Sequence, residues 1–315
     1  MIKQVIKMKA LKYNFNIDKL RLCYKQPQQL FDLLKTYNNG DYINFEGFTV
    51  VITDNGRPQE SNKVPTKIKA DIILDDNTRL GEFSFNDSAK YEGKCFFTVD
   101  NHALYKPNGF DSQGNKYNYM AFVDWVEQQL GLDKNNLTES EIALDVNFNP
   151  LPQLQRLIRD TTNYDMIVNG KKVDDNERIN GLGEYFERTR TKRKRYPTIY
   201  LTQRKLGSPS IKIYDKASEI TEESGKGYIS DWNDFNSSIM WRLEVTVKNE
   251  DFKAFQERIS KNIEEWGQIE TITELLGMEQ FKALLWVYIA DRLIYFRNKH
   301  NDEVICLLDI ATKSI

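Results

Sequence analysis

The residues of this chain best suited to chemistry lie in Ser210-Ile211-Lys212-Ile213-Tyr214-Asp215-Lys216-Ala217-Ser218-Glu219. Side chains alternate across a strand with a period of two. Ile211, Ile213 and Asp215 therefore take one side, and Lys212, Tyr214 and Lys216 the other. With the isoleucines toward a core, the tyrosine shares its polar face with two cations. A phenol so placed is suited to attack a phosphodiester and form a phosphotyrosine link. Ionising a free tyrosine at pH 7 costs about 4 kcal/mol, part of which a neighbouring cation or a metal offsets.

Two further segments repeat the pattern. In Ile142-Ala143-Leu144-Asp145-Val146-Asn147-Phe148 the even positions are apolar, and Ala143, Asp145 and Asn147 face the other way. In Trp241-Arg242-Leu243-Glu244-Val245-Thr246-Val247-Lys248 the apolar set is Trp241, Leu243, Val245 and Val247, with Arg242, Glu244, Thr246 and Lys248 opposite. If these strands share a sheet, one face gathers Asp145, Glu244, Tyr214 and Lys216. Two carboxylates there suit a hard cation such as Mg²⁺ or Mn²⁺, with Glu219 a third ligand or the residue that orients Lys216. Blander roles compete: a strand tyrosine packs or pairs across strands, Asp145 bridges a neighbour such as Lys212, and Glu244 pairs on the surface.

The strand of Tyr214 follows the most basic window of the chain. Arg188, Arg190, Lys192, Arg193, Lys194, Arg195, Arg204 and Lys205 are eight cations with no acid among them, interleaved with Tyr196 and Tyr200. With Lys212 they form an expected DNA-binding set, since such a run attracts phosphates and its rings can stack on bases. A solvated charged hairpin is the alternative.

The elements that must position these groups are readable in outline. Strands are expected over 11–24, 42–52, 66–86 (a hairpin turning at Asp75-Asp76-Asn77), Cys95 to Val99, around Asp145, over 198–203 and 210–216, and around Glu244. Helices are expected after Pro27, over 118–130, over about 151–160, near 249–263 and over 268–298, the last packing across the core face of the sheet. Residues 164–197 read as a long polar loop. The order predicts an α+β fold, with a central antiparallel or mixed sheet and helices covering one face. Domain boundaries are expected at 1–110, 111–300 and a tail 301–315, or as one continuous domain.

Bulk composition narrows the field. The 315 residues carry 44 Lys and Arg against 46 Asp and Glu, so a nucleic-acid surface must be local rather than global. Cys23, Cys95 and Cys306 are widely spaced and odd in number, which gives neither a metal spacing nor a disulfide framework and suits a reducing cytoplasm. The N-terminal residues have no apolar signal core. The longest apolar run, Ala283 to Ala290, is far short of the ~20 residues that span a bilayer. A soluble, cytoplasmic protein without membrane partners is expected.

Tyr214-x-Lys216-x-x-Glu219 resembles the active-site motif of rolling-circle replication initiators, the plasmid Rep-trans initiators and the gene II proteins of filamentous phages. The order of motifs matches as well: Leu144-Asp145-Val146-Asn147-Phe148 stands where that group has an aspartate strand, and Arg242-Leu243-Glu244-Val245 where it has an Arg-apolar-Glu strand. The resemblance spans roughly residues 11–298, its specific part being these three motifs. It implies an HUH-endonuclease-like fold and a divalent-metal-dependent nickase that opens an origin through a 5′-phosphotyrosine intermediate. It also implies origin DNA as substrate, as a hairpin or a single-stranded nick region, with host helicase and polymerase as partners and a homodimer as the assembly to test. His102 and His300 are far apart, so the paired histidines of standard HUH enzymes are missing. No Gly-Lys-Ser/Thr phosphate loop is present, so strand separation needs a separate motor.

Three alternatives remain beside this expectation, one of them a structural or assembly protein with no nucleic-acid affinity at low salt. A mobilisation relaxase or transposase would use the same chemistry on a different DNA. A non-catalytic DNA-binding regulator would use the basic window alone.

Overall fold

The computed structural model describes residues 12–55, 67–86, 93–105, 119–176, 186–188, 198–201, 210–234, 239–260 and 276–312. Its strands in chain order are β1 (Tyr13–Lys25), β2 (Tyr42–Phe45), β3 (Phe48–Asp54), β4 (Lys67–Leu74), β5 (Arg79–Asn86), β6 (Lys94–Val99), β7 (Asp133–Val146) and β8 (Tyr164–Val168). There follow β9 (Lys171–Lys172), β10 (Phe186–Arg188), β11 (Thr198–Leu201), β12 (Ile211–Asp215), β13 (Trp241–Lys248), β14 (Ile294–Asn298) and β15 (Val304–Cys306). The fold is α+β with antiparallel pairing, as the element order predicts. It divides into two units: Met1–Asn16, Ala143–Val245 and Trp286–Ile315 form one, and Ile17–Ile142 with Thr246–Leu285 form the other.

In the first unit the strand order is β10-β11-β12-β13-β7-β1. The pairs β10–β11, β11–β12 and β12–β13 are antiparallel. The register sets Lys212 opposite Glu244 and Tyr214 opposite Arg242, so the polar positions of the two strands share one face, as their alternation requires. On the other face Ile211, Ile213, Leu243 and Val245 are buried. The helix Glu279–Leu293 covers that face: Trp286 donates its indole N–H to the Leu243 carbonyl at 3.1 Å and meets Phe15 edge-on at 5.8 Å. Fully burying one such apolar side chain is worth about 1.5–3 kcal/mol.

Two expectations are corrected in this unit. The last helix stops at Leu293, and Ile294–Asn298 is a strand. Its short apolar run fits either period, and pairing with β8 decides it. Residues 164–197 are not all loop: β8 and β9 form a hairpin, in a separate four-stranded sheet of order β15-β14-β8-β9. Its turn is Asn169-Gly170, with φ of 51° and 74°, the left-handed pair that a type I′ hairpin turn demands.

In the second unit the order is β7-β1-β6-β5-β4-β3-β2, with β1–β6, β6–β5, β5–β4, β4–β3 and β3–β2 antiparallel. Its core is aromatic. Phe83 stacks on Phe97 at 4.3 Å, and Phe31, from the helix Gln28–Leu34, stacks on Phe85 at 5.9 Å. Tyr24 donates to Glu127 Oε1 at 2.7 Å, and burial beside that carboxylate pushes the phenol well above its ordinary pKa. The hairpin 66–86 turns at the residues expected, with Asn77 at φ 63°.

Candidate active site

The strand β12 ends where chemistry is expected to begin. Asp215 caps the next helix, Lys216–Glu219: its Oδ1 accepts the Ser218 backbone N–H and its Oδ2 the Ser218 hydroxyl, both at 2.9 Å. The backbone N–H groups of Lys216 and Ala217 both reach the Met240 carbonyl, at 2.8 and 3.0 Å. A π-turn over Ile220–Ser224 follows and closes at Gly225, φ 62°. Tyr214 is thus the next-to-last strand residue before a doubly anchored turn, which fixes the direction of its ring.

The Tyr214 hydroxyl lies 3.3 Å from Glu244 Oε2, and Lys212 Nζ lies 2.5 Å from Glu244 Oε1. Glu244 is 2% exposed and Tyr214 8%, so this pairing is made largely away from water. Lys216, 3% exposed, sits 2.7 Å from Glu219 Oε2 and 5.6 Å from the centre of the Tyr214 ring. Tyr214, Glu244 and Lys212 meet on the polar face of the sheet, and Lys216, paired with Glu219, approaches the tyrosine ring from the helix that follows. The arrangement has a phenol held by a carboxylate, with one ammonium on the far oxygen of that carboxylate and another beside the ring.

Asp145 has a different fate from the one its strand suggests. Its Oδ1 accepts Arg242 Nε at 2.6 Å; its Oδ2 accepts Arg242 Nη2 at 2.8 Å, Asn16 Nδ2 at 3.0 Å and Asn233 Nδ2 at 2.9 Å. A carboxylate offers about four acceptor sites, and here four donors fill them. Both Asp145 and Arg242 are 0% exposed. The site is extended by Trp232 Nε1, which donates to Asn16 Oδ1 at 2.5 Å, and by Asn16 Nδ2 on Asn233 Oδ1 at 3.0 Å. Asp145 is the acceptor of a buried fork-on-fork ion pair, and its ion-pair partner is Arg242 rather than Lys212. Glu219 is likewise engaged, by Lys216.

Two carboxylates outside the predicted set have spacing suited to a cation. Asp18 on β1 and Glu141 on β7, both in the second unit and half-buried, bring a carboxylate oxygen each within 4.8 Å of one another. The sequence signal for Asp18 was hidden because alternation slips there: Phe15 and Ile17 are buried, and then Leu20, Leu22 and Tyr24, which is a change of parity. Glu141 stands four residues before Asp145, on the same side of the strand by its period.

Of the basic window, Arg188 ends β10. Arg190, Lys192, Arg193, Lys194, Arg195, Arg204 and Lys205 lie outside the described residues. Register sets Tyr200 opposite Lys212 and Thr198 opposite Tyr214, so Tyr200 occupies a sheet-partner position. His102 lies in the short helix Asn101–Leu104, and its backbone N–H is capped by Asp100.

No family model matches the chain, and no curated protein matches it. Among solved structures it is similar to that of a rolling circle replication initiator protein from Geobacillus stearothermophilus, with 10% sequence identity, 80% of each chain covered and a TM-score of 0.41. Among the described residues no helix is long and apolar enough to cross a membrane.

Proposed function

We propose that the chain is a DNA nicking-closing enzyme that initiates rolling-circle replication, with Tyr214 as nucleophile. The single observation that supports this most is the contact of the Tyr214 hydroxyl with Glu244, bracketed by Lys212 and Lys216. A general base must lie within hydrogen-bond reach of the proton it takes, and reach is commonly loose before substrate binds; 3.3 Å meets that condition.

In the proposed reaction Glu244 takes the phenol proton as Tyr214 Oη attacks phosphorus in line. The P–O3′ bond breaks, and the 3′-oxygen leaves and takes a proton from water to become a hydroxyl. The 5′-phosphate remains on Tyr214 as a diester, which keeps the bond for later religation. Lys216, beside the ring, supports negative charge on the phenol oxygen and the phosphorane. Lys212 holds Glu244 in place by its other oxygen. The basic window and Lys212 would track the DNA backbone.

Divalent-metal dependence belongs to the same proposal. The hard oxygen donors that would hold a cation are those of Asp18 and Glu141 in the second unit; Asp145 accepts from Arg242, and Glu219 lies against Lys216. A bound Mg²⁺ or Mn²⁺ would supply Lewis-acid polarisation of a non-bridging phosphate oxygen.

The test is incubation with supercoiled DNA carrying the protein's own gene and flanks, with Mn²⁺, beside a Tyr214→Phe control. Nicked or relaxed circles with attached protein from the wild type alone are expected. A Tyr214→Phe protein that nicks as fast as wild type overturns the proposal. Binding without nicking by both proteins favours the non-catalytic regulator.

A further inference from the structure

The second unit holds a cation cluster that the nicking chemistry does not use. Lys19 and Arg21 stand two residues apart on β1, the spacing that repeats one strand face. Lys19 pairs with Glu139 Oε1 on β7, and Lys248, at the end of β13, pairs with Glu139 Oε2. One carboxylate therefore serves two ammonium groups. Asp251 faces Lys248 through its backbone, accepting the Lys248 N–H at 3.4 Å. Among the described residues no carboxylate pairs with Arg21.

Arg21 is held in an uncommon way. Its guanidinium lies over the Phe96 ring, 4.6 Å from the centroid, and its Nε is buried without a hydrogen-bond partner. Stacking on the ring holds the guanidinium in place. A buried donor without an acceptor is costly, and the three cations repel, offset by Glu139 and, at Lys248, by Asp251. Burial, with Lys19 and Arg21 nearby, lowers the pKa of Lys248 from its ordinary value. The lysine side chains are 40% and 31% exposed, so an incoming group can reach them.

We infer that Lys19, Arg21 and Lys248 form a phosphate-binding site for the backbone of a nucleic-acid strand, separate from the basic window around 188–205. This rests on the nicking proposal for the class of partner. A phosphate forks well with a guanidinium and relieves the repulsion among the three cations. Such contacts position a strand and carry no base preference.

The experiment uses the full chain and a fluorescein-labelled single-stranded 20-mer of arbitrary sequence, with anisotropy read across a salt series. Arg21→Gln and Lys248→Met are each expected to weaken binding about tenfold and to lower the slope of log K against log salt by roughly 0.7 to 0.9. Arg21→Lys should keep the slope while losing part of the affinity. Lys248→Met should melt no lower than wild type, because it removes a repulsive charge and leaves Lys19 on Glu139. Unchanged affinity and slope in both variants overturn the site, as does a Lys248→Met protein that melts well below wild type. Binding of inorganic phosphate that is lost in Arg21→Gln while 20-mer binding is unchanged overturns the nucleic-acid assignment. If wild type nicks DNA yet the variants bind normally, this inference alone fails; if wild type binds no DNA at all, the functional proposal fails with it.

Discussion

Asp145 on β7 and Glu244 on β13 are two buried acids of one unit, 0% and 2% exposed, and they have been put to opposite uses. Four donors converge on Asp145 and fill its acceptor sites. Glu244 has Lys212 on one oxygen and the Tyr214 hydroxyl on the other, about half of what a carboxylate accepts. A saturated carboxylate locks structure. One with spare lone pairs, held from behind by a lysine and touching a phenol, can take a proton. Arg242 and Glu244 are two residues apart on β13, so a single strand supplies the partner of the lock and the proposed base.

Breaking the chemical side should give the largest effect. Tyr214→Phe is expected to abolish nicking and covalent attachment, while losing one buried hydrogen bond worth about 0.5–1.5 kcal/mol; a relaxation assay and a denaturant melt check the two halves. Glu244→Gln keeps shape and removes the base, and single-turnover nicking should slow by about 10²- to 10⁴-fold with DNA affinity little changed.

Breaking the lock should act on stability instead. Arg242→Met leaves Asp145 buried and unpaired, and chemical denaturation should show a loss of about 3–5 kcal/mol. The double variant Asp145→Leu with Arg242→Met sharpens the contrast: it should be more stable than Arg242→Met alone, because no orphan charge remains. If Arg242→Met instead left stability intact and slowed nicking, the division of labour between the two acids would be wrong.

The smallest effect concerns a third acid of the same unit. Burial, with Asp309 nearby, pushes the Asp291 carboxyl up to about 6, above its unfolded value of about 3.9. Its ionised form is disfavoured in the fold, so this contribution to stability is greatest below about pH 4. It is lost as pH rises toward 6 and is flat above. Asp291→Asn should remove that slope and raise the melting temperature at pH 7 but not at pH 3.5.

Much of the site was legible because a period of two is a strong signal. The alternations over 211–216, 142–148 and 241–248 place Tyr214, Asp145 and Glu244 on polar faces without knowledge of pairing. Pairing was the missing term. That Arg242 rather than Lys212 meets Asp145, and that Lys212 meets Glu244, depends on cross-strand register, which alternation leaves open. Asp18 was hidden by the slip in β1 between Ile17 and Leu20. The β8–β9 hairpin was readable in Asn169-Gly170, a turn signal outweighed by the polar residues after it. Ile294–Asn298 was ambiguous in principle, since a short apolar run ending a helix fits either period.

The most direct measurement is the identity of the DNA-linked residue. Wild-type protein is reacted with its own supercoiled origin DNA and Mn²⁺, digested with nuclease and protease, and mapped by mass spectrometry. A nucleotide 5′-phosphate on the peptide containing Tyr214, absent in Tyr214→Phe and sharply reduced in Glu244→Gln, is the predicted result. A phosphodiester on Tyr200 or another residue, or no adduct while the DNA is nicked, would contradict the account.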